Sequence, residues 1–175
     1  MRRRVRGALG ALLAVGIALA VSAPATAQTT GNETFKGTIV ASYVSGTRVV
    51  VGSVVVASGV FSGGGRVVEI ENLPGDPDNV SRDDLVFAAG SMHLVTVTVG
   101  ASFSLDPRSC KESVELQQTQ IIVGGTGRFT AAAGSFAGTL TGHGVAPRNP
   151  DGSCSLEQPP RVELADFTIS GSLSF

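Results

Sequence analysis

Val123-Gly-Gly-Thr-Gly-Arg-Phe-Thr-Ala-Ala-Ala-Gly-Ser-Phe136 is a glycine-punctuated link between two strand-like segments. Gly124, Gly125, Gly127 and Gly134 let the backbone take positive φ and make close approaches that a Cβ forbids. Arg128 and Phe129 give that tight crossing one cation and one apolar anchor. Ser113 to Val123 leads into the link and Ser135 to Val145 leads out, so Gly124, Gly125, Gly127, Arg128 and Phe129 read as a structural turn. Such a turn specifies shape and names no activity.

Working outward, valine, threonine, serine and glycine dominate, and no long segment after the first 27 residues repeats apolar side chains at helical spacing. The chain is all-β. Alternation is plainest at the end, where Ala165, Phe167, Ile169, Leu173 and Phe175 share one face and Asp166, Thr168, Ser170, Ser172 and Ser174 the other. Ser91 to Leu105 alternates with Val95, Val97, Val99, Ala101, Phe103 and Leu105 on its apolar face, and Thr34 to Tyr43 with Phe35, Ile39, Ala41 and Tyr43 in phase. Thr47 to Ala57 is nearly all valine, the pattern of a strand covered on both faces. Gly65 to Leu73 and a short Leu85 to Ala88 bring the count to about eight. Turn signals at Ser45-Gly46 and Ser62-Gly-Gly-Gly65 sit at hairpin distances and favour antiparallel pairing of neighbours. Longer polar links run from Pro74 to Asp83 and from Pro147 to Pro160.

An eight-stranded meander removes its edges by closing into an up-and-down barrel; the alternative is a β-sandwich. An immunoglobulin-type sandwich places two cysteines within strands across a tryptophan. Here there is no Trp, and Cys110 and Cys154 lie in the turn-rich settings Asp106-Pro-Arg-Ser-Cys110 and Asn149-Pro-Asp-Gly-Ser-Cys154, which favours the barrel.

Residues 1–27 read as a secretory signal peptide. Arg2, Arg3, Arg4 and Arg6 form the basic start, Ala8 to Val21 the apolar core, and Ala25-Thr-Ala27 the small-residue cleavage site. The core is about 14 residues, short of the roughly 20 that cross a bilayer, so no membrane span is expected once the signal is removed. Residues 28–175 then form a single secreted, extracellular domain. In that compartment Cys110 and Cys154 should be oxidised to each other, in preference to a metal site with His93 and His143 that has no chelating spacing. Without the signal, nine Lys and Arg stand singly against fourteen Asp and Glu, a balance that excludes nucleic acid as a partner.

Ile122-Val-Gly-Gly-Thr-Gly-Arg-Phe129, followed by Gly134-Ser-Phe136, resembles the strand–turn–strand element of the allene oxide cyclase and dirigent superfamily. It looks closer still to secreted bacterial barrels of unassigned activity, which also carry a segment like Asp106 to Cys110 and an apolar strand like Leu85 to Leu94. The likeness spans roughly residues 84 to 145. It implies an eight-stranded barrel. In characterised members the interior holds a small reactive molecule and steers its cyclisation or coupling, and members often form dimers or trimers, so the resemblance also admits a homo-oligomer. It carries no catalytic residue over to this chain.

If the dry face is the inside, the polar residues in phase with it are the ligand-binding candidates: Tyr43, His93 and Glu163, a phenol, an imidazole and a carboxylate near strand ends. The competing reading is that half-exposed strand ends are simply solvated. His143 follows the polar set Ser135, Thr139 and Thr141 and should face water. Gly125 to Thr130 lacks the Lys-Ser/Thr of a phosphate loop, and Arg128 should pack on a carboxylate or carbonyl rather than bind an anion. Asp76, Asp78, Asp83 and Asp84 gather in a linker that fails the EF-hand spacing and reads as a solvated loop. No metal site, no cofactor and no serine-hydrolase turn is indicated. Two functions remain. The first is a non-catalytic secreted barrel that binds a small apolar molecule or acts structurally at the cell envelope; the second is a cyclase-like enzyme. Titratable groups converging inside would favour the enzyme, an apolar interior the binder. A barrel packed solid, with no cavity, is the third outcome.

Overall fold

The computed structural model describes residues 28–175; the export signal read in residues 1–27 lies outside the described residues. The strands are β1 (Thr30–Val44), β2 (Thr47–Gly59), β3 (Gly63–Ile70), β4 (Val80–Phe87), β5 (Gly90–Leu105), β6 (Lys111–Gly125), β7 (Ala133–Val145) and β8 (Val162–Ser174). Each pairs antiparallel with the next, and β8 returns to β1 along Thr30–Ser42 against Val162–Ser174. The barrel is therefore closed, which excludes the sandwich. Among the described residues no helix is long and apolar enough to cross a membrane.

Alternation puts Phe35 and Ile39 of β1, Leu85 and Phe87 of β4, and Ala165, Ile169 and Leu173 of β8 in the core. Two strands depart from the sequence reading. Beyond Ser91 the buried residues of β5 are Met92, Leu94 and Thr96, while Val95 and Val97 lie on the outer face with only part of their surface covered. The physical reason is a bulge: Thr98 pairs with Gln118 and Gly100 with Gln117, so Val99 is an extra residue and the phase reverses beyond it. Ala101 and Phe103 then share the face of Leu116 and Val114, but β4 has ended at the Val80–Val97 pair and Phe103 stays 56 % exposed. On β2 the same happens at Val51, skipped between the Val40–Gly52 and Ala41–Val50 pairs. Val49, Val51, Val54 and Val56 are bare on the outer surface, so β2 is not covered on both faces.

The two ends of the barrel differ. At one end the links β2–β3, β4–β5 and β6–β7 meet the C-terminus, and aromatic rings close the interior. Phe61 lies 5.0 Å from both Phe87 and Phe129, and Phe129 lies 5.3 Å from Phe175, ring centre to ring centre. The glycine-rich turn supplies the central ring, since a single 3-10 turn at Gly127–Phe129 drives Phe129 fully inside. Gly127 sits at φ +57°, and a Cβ there would strike the carbonyl of Ala89, to which Arg128 N–H donates at 2.9 Å. The guanidinium of Arg128 stacks 4.7 Å over the Phe175 ring, so its partner is an aromatic face rather than a carboxylate or carbonyl.

At the other end lie the β1–β2 hairpin and the β3–β4, β5–β6 and β7–β8 connections. Cys110 and Cys154 form a disulfide there, with Cα atoms 5.4 Å apart, joining the last two connections. This end is open.

Candidate functional site

Behind the open end lies a cavity of about 710 Å³. That lies within the range of small-molecule sites in proteins, so the barrel is not packed solid. Its inner wall is apolar where β1, β7 and β8 contribute Ile39, Leu140, Phe167 and Ile169, with Leu85, Leu94 and Leu116 across from them. Its mouth is charged.

Tyr43 and Glu163, two of the candidates picked from strand phase, meet at that mouth. Tyr43 Oη donates to Glu163 Oε2 at 2.9 Å. The register explains the meeting: Ala41 pairs with Glu163, and Tyr43, two residues on, donates its N–H to Arg161 O at 3.2 Å. Arg48, paired with Tyr43 across the β1–β2 ladder, completes a bridge. Its Nη2 donates to Glu163 Oε1 at 3.1 Å and its Nη1 to Glu69 Oε1 on β3. Burial and then the Glu163 hydrogen bond push the Tyr43 phenol up to about 12, which keeps it a donor at neutral pH. Burial disfavours charge on Arg48, but the two carboxylates outweigh it and raise the guanidinium above its ordinary value.

His93, the third candidate, is not part of the site. It lies on the outer face opposite Asp84 on β4, with Nδ1 2.6 Å from Asp84 Oδ1. It was placed in phase with Val95 and Val97, and these residues point outward with it. His143 is exposed at the rim.

Strand phase alone missed several interior polar groups. Asp83 faces inward on β4, in phase with the buried Leu85 and Phe87, whereas Asp84 faces out. Burial pushes the Asp83 carboxyl up to about 6, with the Glu69 charge adding to it and hydroxyls of Thr96 and Ser81 opposing it. Glu112 is raised too, by burial first and the Glu163 charge second; Gly144, which pairs with both, puts no side chain between them. Gln120 on β6 lines the cavity at 3 % exposure, and its Oε1 has no hydrogen-bond partner among the described residues. The signal for Asp83 was its two-residue spacing from Leu85 and Phe87. It was lost because strand β4 begins at Val80, inside the stretch read as linker. Arg48 was hidden by the bulge at Val51, which brings Arg48 and Val50 into the interior phase of Ser53 and Val55.

Asp76, also read as part of a solvated loop, is tied to Arg82, whose Nε donates to Asp76 Oδ2 at 2.7 Å; this pair holds the β3–β4 connection against the rim. Among the described residues no three His, Cys, Asp or Glu side chains converge to hold a metal ion.

The class these features define is a closed eight-stranded antiparallel barrel, plugged by aromatic rings at one end and hollow behind a charged mouth at the other. Comparison with protein-family models, with curated proteins and with solved structures finds no match.

Proposed function

We propose that this protein is an exported barrel that binds a small molecule inside its open half without transforming it. The observation that carries the reading is the cavity of about 710 Å³, with an apolar floor and polar groups gathered at the mouth. That arrangement desolvates the body of a ligand while its polar end is oriented near solvent. Export rests on the signal read in residues 1–27. The resemblance of the Ile122 to Phe129 turn to the allene oxide cyclase and dirigent superfamily fits an interior that receives small molecules, although fold alone assigns no activity.

One observation favours the enzymatic reading as second choice. Titratable groups do converge inside, more of them than strand phase indicated, and Asp83 titrates near 6, where a carboxyl can both take and give a proton. A cyclase-like acid–base role would belong to Asp83, with Tyr43 and Glu163 orienting the substrate.

Titration of residues 28–175 with the neutral apolar dye N-phenyl-1-naphthylamine tests the binding reading. A single saturable site is expected. Leu140→Trp, which fills the cavity from β7, should weaken it by about tenfold or more, roughly 1.4 kcal/mol. Absence of saturation, or equal affinity in the filled variant, would reject the interior as the site.

A further inference from the structure

The charges that face the cavity do not balance. Glu69, Asp83, Glu112 and Glu163 line it, against Arg48 and Arg82. Arg48 is engaged by Glu69 and Glu163, and Arg82 by Asp76 outside the cavity. Asp83 and Glu112 are left with no ion pair among the described residues.

A second, independent feature lies beside Asp83. The ladder sets Ser81, Thr96 and Gln120 in one row across β4, β5 and β6, all lining the cavity, with Asp83 the next inward residue on β4. Gln120 Oε1, buried, is an acceptor with no donor among the described residues. The β4–β6 wall thus offers a carboxylate with no ion-pair partner and an amide oxygen with no donor among the described residues. The facing wall of Ile39, Leu140, Phe167 and Ile169 offers only hydrocarbon.

We infer that the cavity is built for an amphipathic organic cation: a molecule whose apolar body lies against β1, β7 and β8 and whose protonated amine donates to Asp83 and to Gln120 Oε1. This rests on the small-molecule reading above and names the class of ligand. An ammonium brings three donors and one positive charge, which supplies both what the acceptors lack and what the charge count lacks. A carboxylate ligand would add a further negative charge to a partly dehydrated acidic site. Asp83 is held near 6, so the site should lose its preference as it is acidified. The other titratable groups facing the space are Tyr43 on β1, Arg48 on β2, Glu69 on β3, Arg82 on β4, Glu112 on β6, His143 on β7 and Glu163 on β8. Tyr43 stays protonated and the arginines charged through that range, and His143 lies exposed at the rim, so the loss of negative charge inside the cavity is carried by carboxylates, Asp83 first and the raised Glu112 next.

The chain has one tyrosine and no tryptophan, so the emission of Tyr43 at the mouth reports occupancy. Octylamine, octanol and octanoate share one apolar body and differ only in the head. Titrated into residues 28–175 at about pH 7.5, octylamine should bind about tenfold more tightly than octanol, and octanoate most weakly. Asp83→Asn should remove the advantage of amine over alcohol, and so should acidification to about pH 5. Gln120→Met, which keeps the bulk and removes the acceptor, should reduce it severalfold and serves if Asp83→Asn does not fold. Octanoate binding as tightly as octylamine, or an advantage that survives both substitutions, overturns the ligand class. If octanol saturates and the amine has no advantage, the ligand class fails while the cavity stands as a binding site. If none of the three saturates, both readings fail together.

Discussion

Asp83 is the residue at which fold and function pull in opposite directions. Its carboxyl is raised from 3.8 to about 6, first by burial, so the folded chain holds that proton more tightly than the unfolded chain does. The stabilisation this gives is fully present below about pH 4 and is lost as pH rises through about 6. Above that, a buried charge is carried at a cost of about 2–3 kcal/mol. Asp83→Asn removes the charge at every pH. It should therefore be more stable than the parent at about pH 7.5 by up to that amount, with the difference fading towards pH 4. Urea unfolding at the two pH values measures it, and a variant less stable than the parent at neutral pH would refute the assignment. Such strain is typical of a group kept for binding rather than for the fold. At this scale the sequence was partly legible. Tyr43 and Glu163 follow from phase because β8 alternates without interruption, and β1 carries Phe35, Ile39, Ala41 and Tyr43 on one phase although its ladder to β2 shifts register at Val40/Ala41. His93 was misplaced because β5 carries threonines inside and valines outside over its first half, the reverse of what polarity suggests.

Elements show where the wall is weakest. Only Val55 to Ala57 pair with Gly65 to Gly63 between β2 and β3, a far shorter ladder than β1 makes with β8. Beyond it Ser53 stands in for backbone: its Oγ donates to Val67 O at 2.7 Å and accepts from Val67 N–H at 3.0 Å. Further towards the mouth the ion pair of Arg48 and Glu69 bridges the seam. Ser53→Ala leaves two backbone groups of Val67 unpaired, with an expected loss of about 1–3 kcal/mol. Hydrogen exchange should show faster exchange at the Val67 amide, with Phe35 and Ile169 protected as before. Uniform loss across all strands would mean that the seam is not a local feature. Eight strands, their order and the antiparallel pairing could all be read from alternation and turn residues. The bulges could not. Val51 and Val99, each 62 % exposed, and Val123 at 56 % are the residues skipped by their ladders, and an extra valine within a run of alternating apolar residues carries no signal of its own.

For the molecule as a whole, stability and function are divided between the two ends. The aromatic plug closes one end with rings in tilted and edge-to-face contact, and Glu33, 1 % exposed, ties the β2–β3 link to β1 by accepting Phe61 N–H at 2.8 Å. The open end has no such core, because its interior is the cavity. There the chain relies on the Cys110–Cys154 bond, which joins the β5–β6 and β7–β8 connections across a separation of 44 residues. In the chain-entropy model a closed loop of that length stabilises by about 4 kcal/mol, acting through the unfolded state. Reduction should therefore lower global stability by up to that amount. Its local effect should be uneven: amides of β6 and β7 near Glu112 and Gly144 should exchange faster at once, while those around Phe129 keep exchanging only through global unfolding. Apolar dye affinity should fall with the loss of order at the mouth, as Glu112 and Glu163 lose the frame that holds them. If reduction lowers protection at Phe129 as much as at Gly144, the barrel opens as one unit. The division into a stable plug and an adaptable mouth would then be wrong.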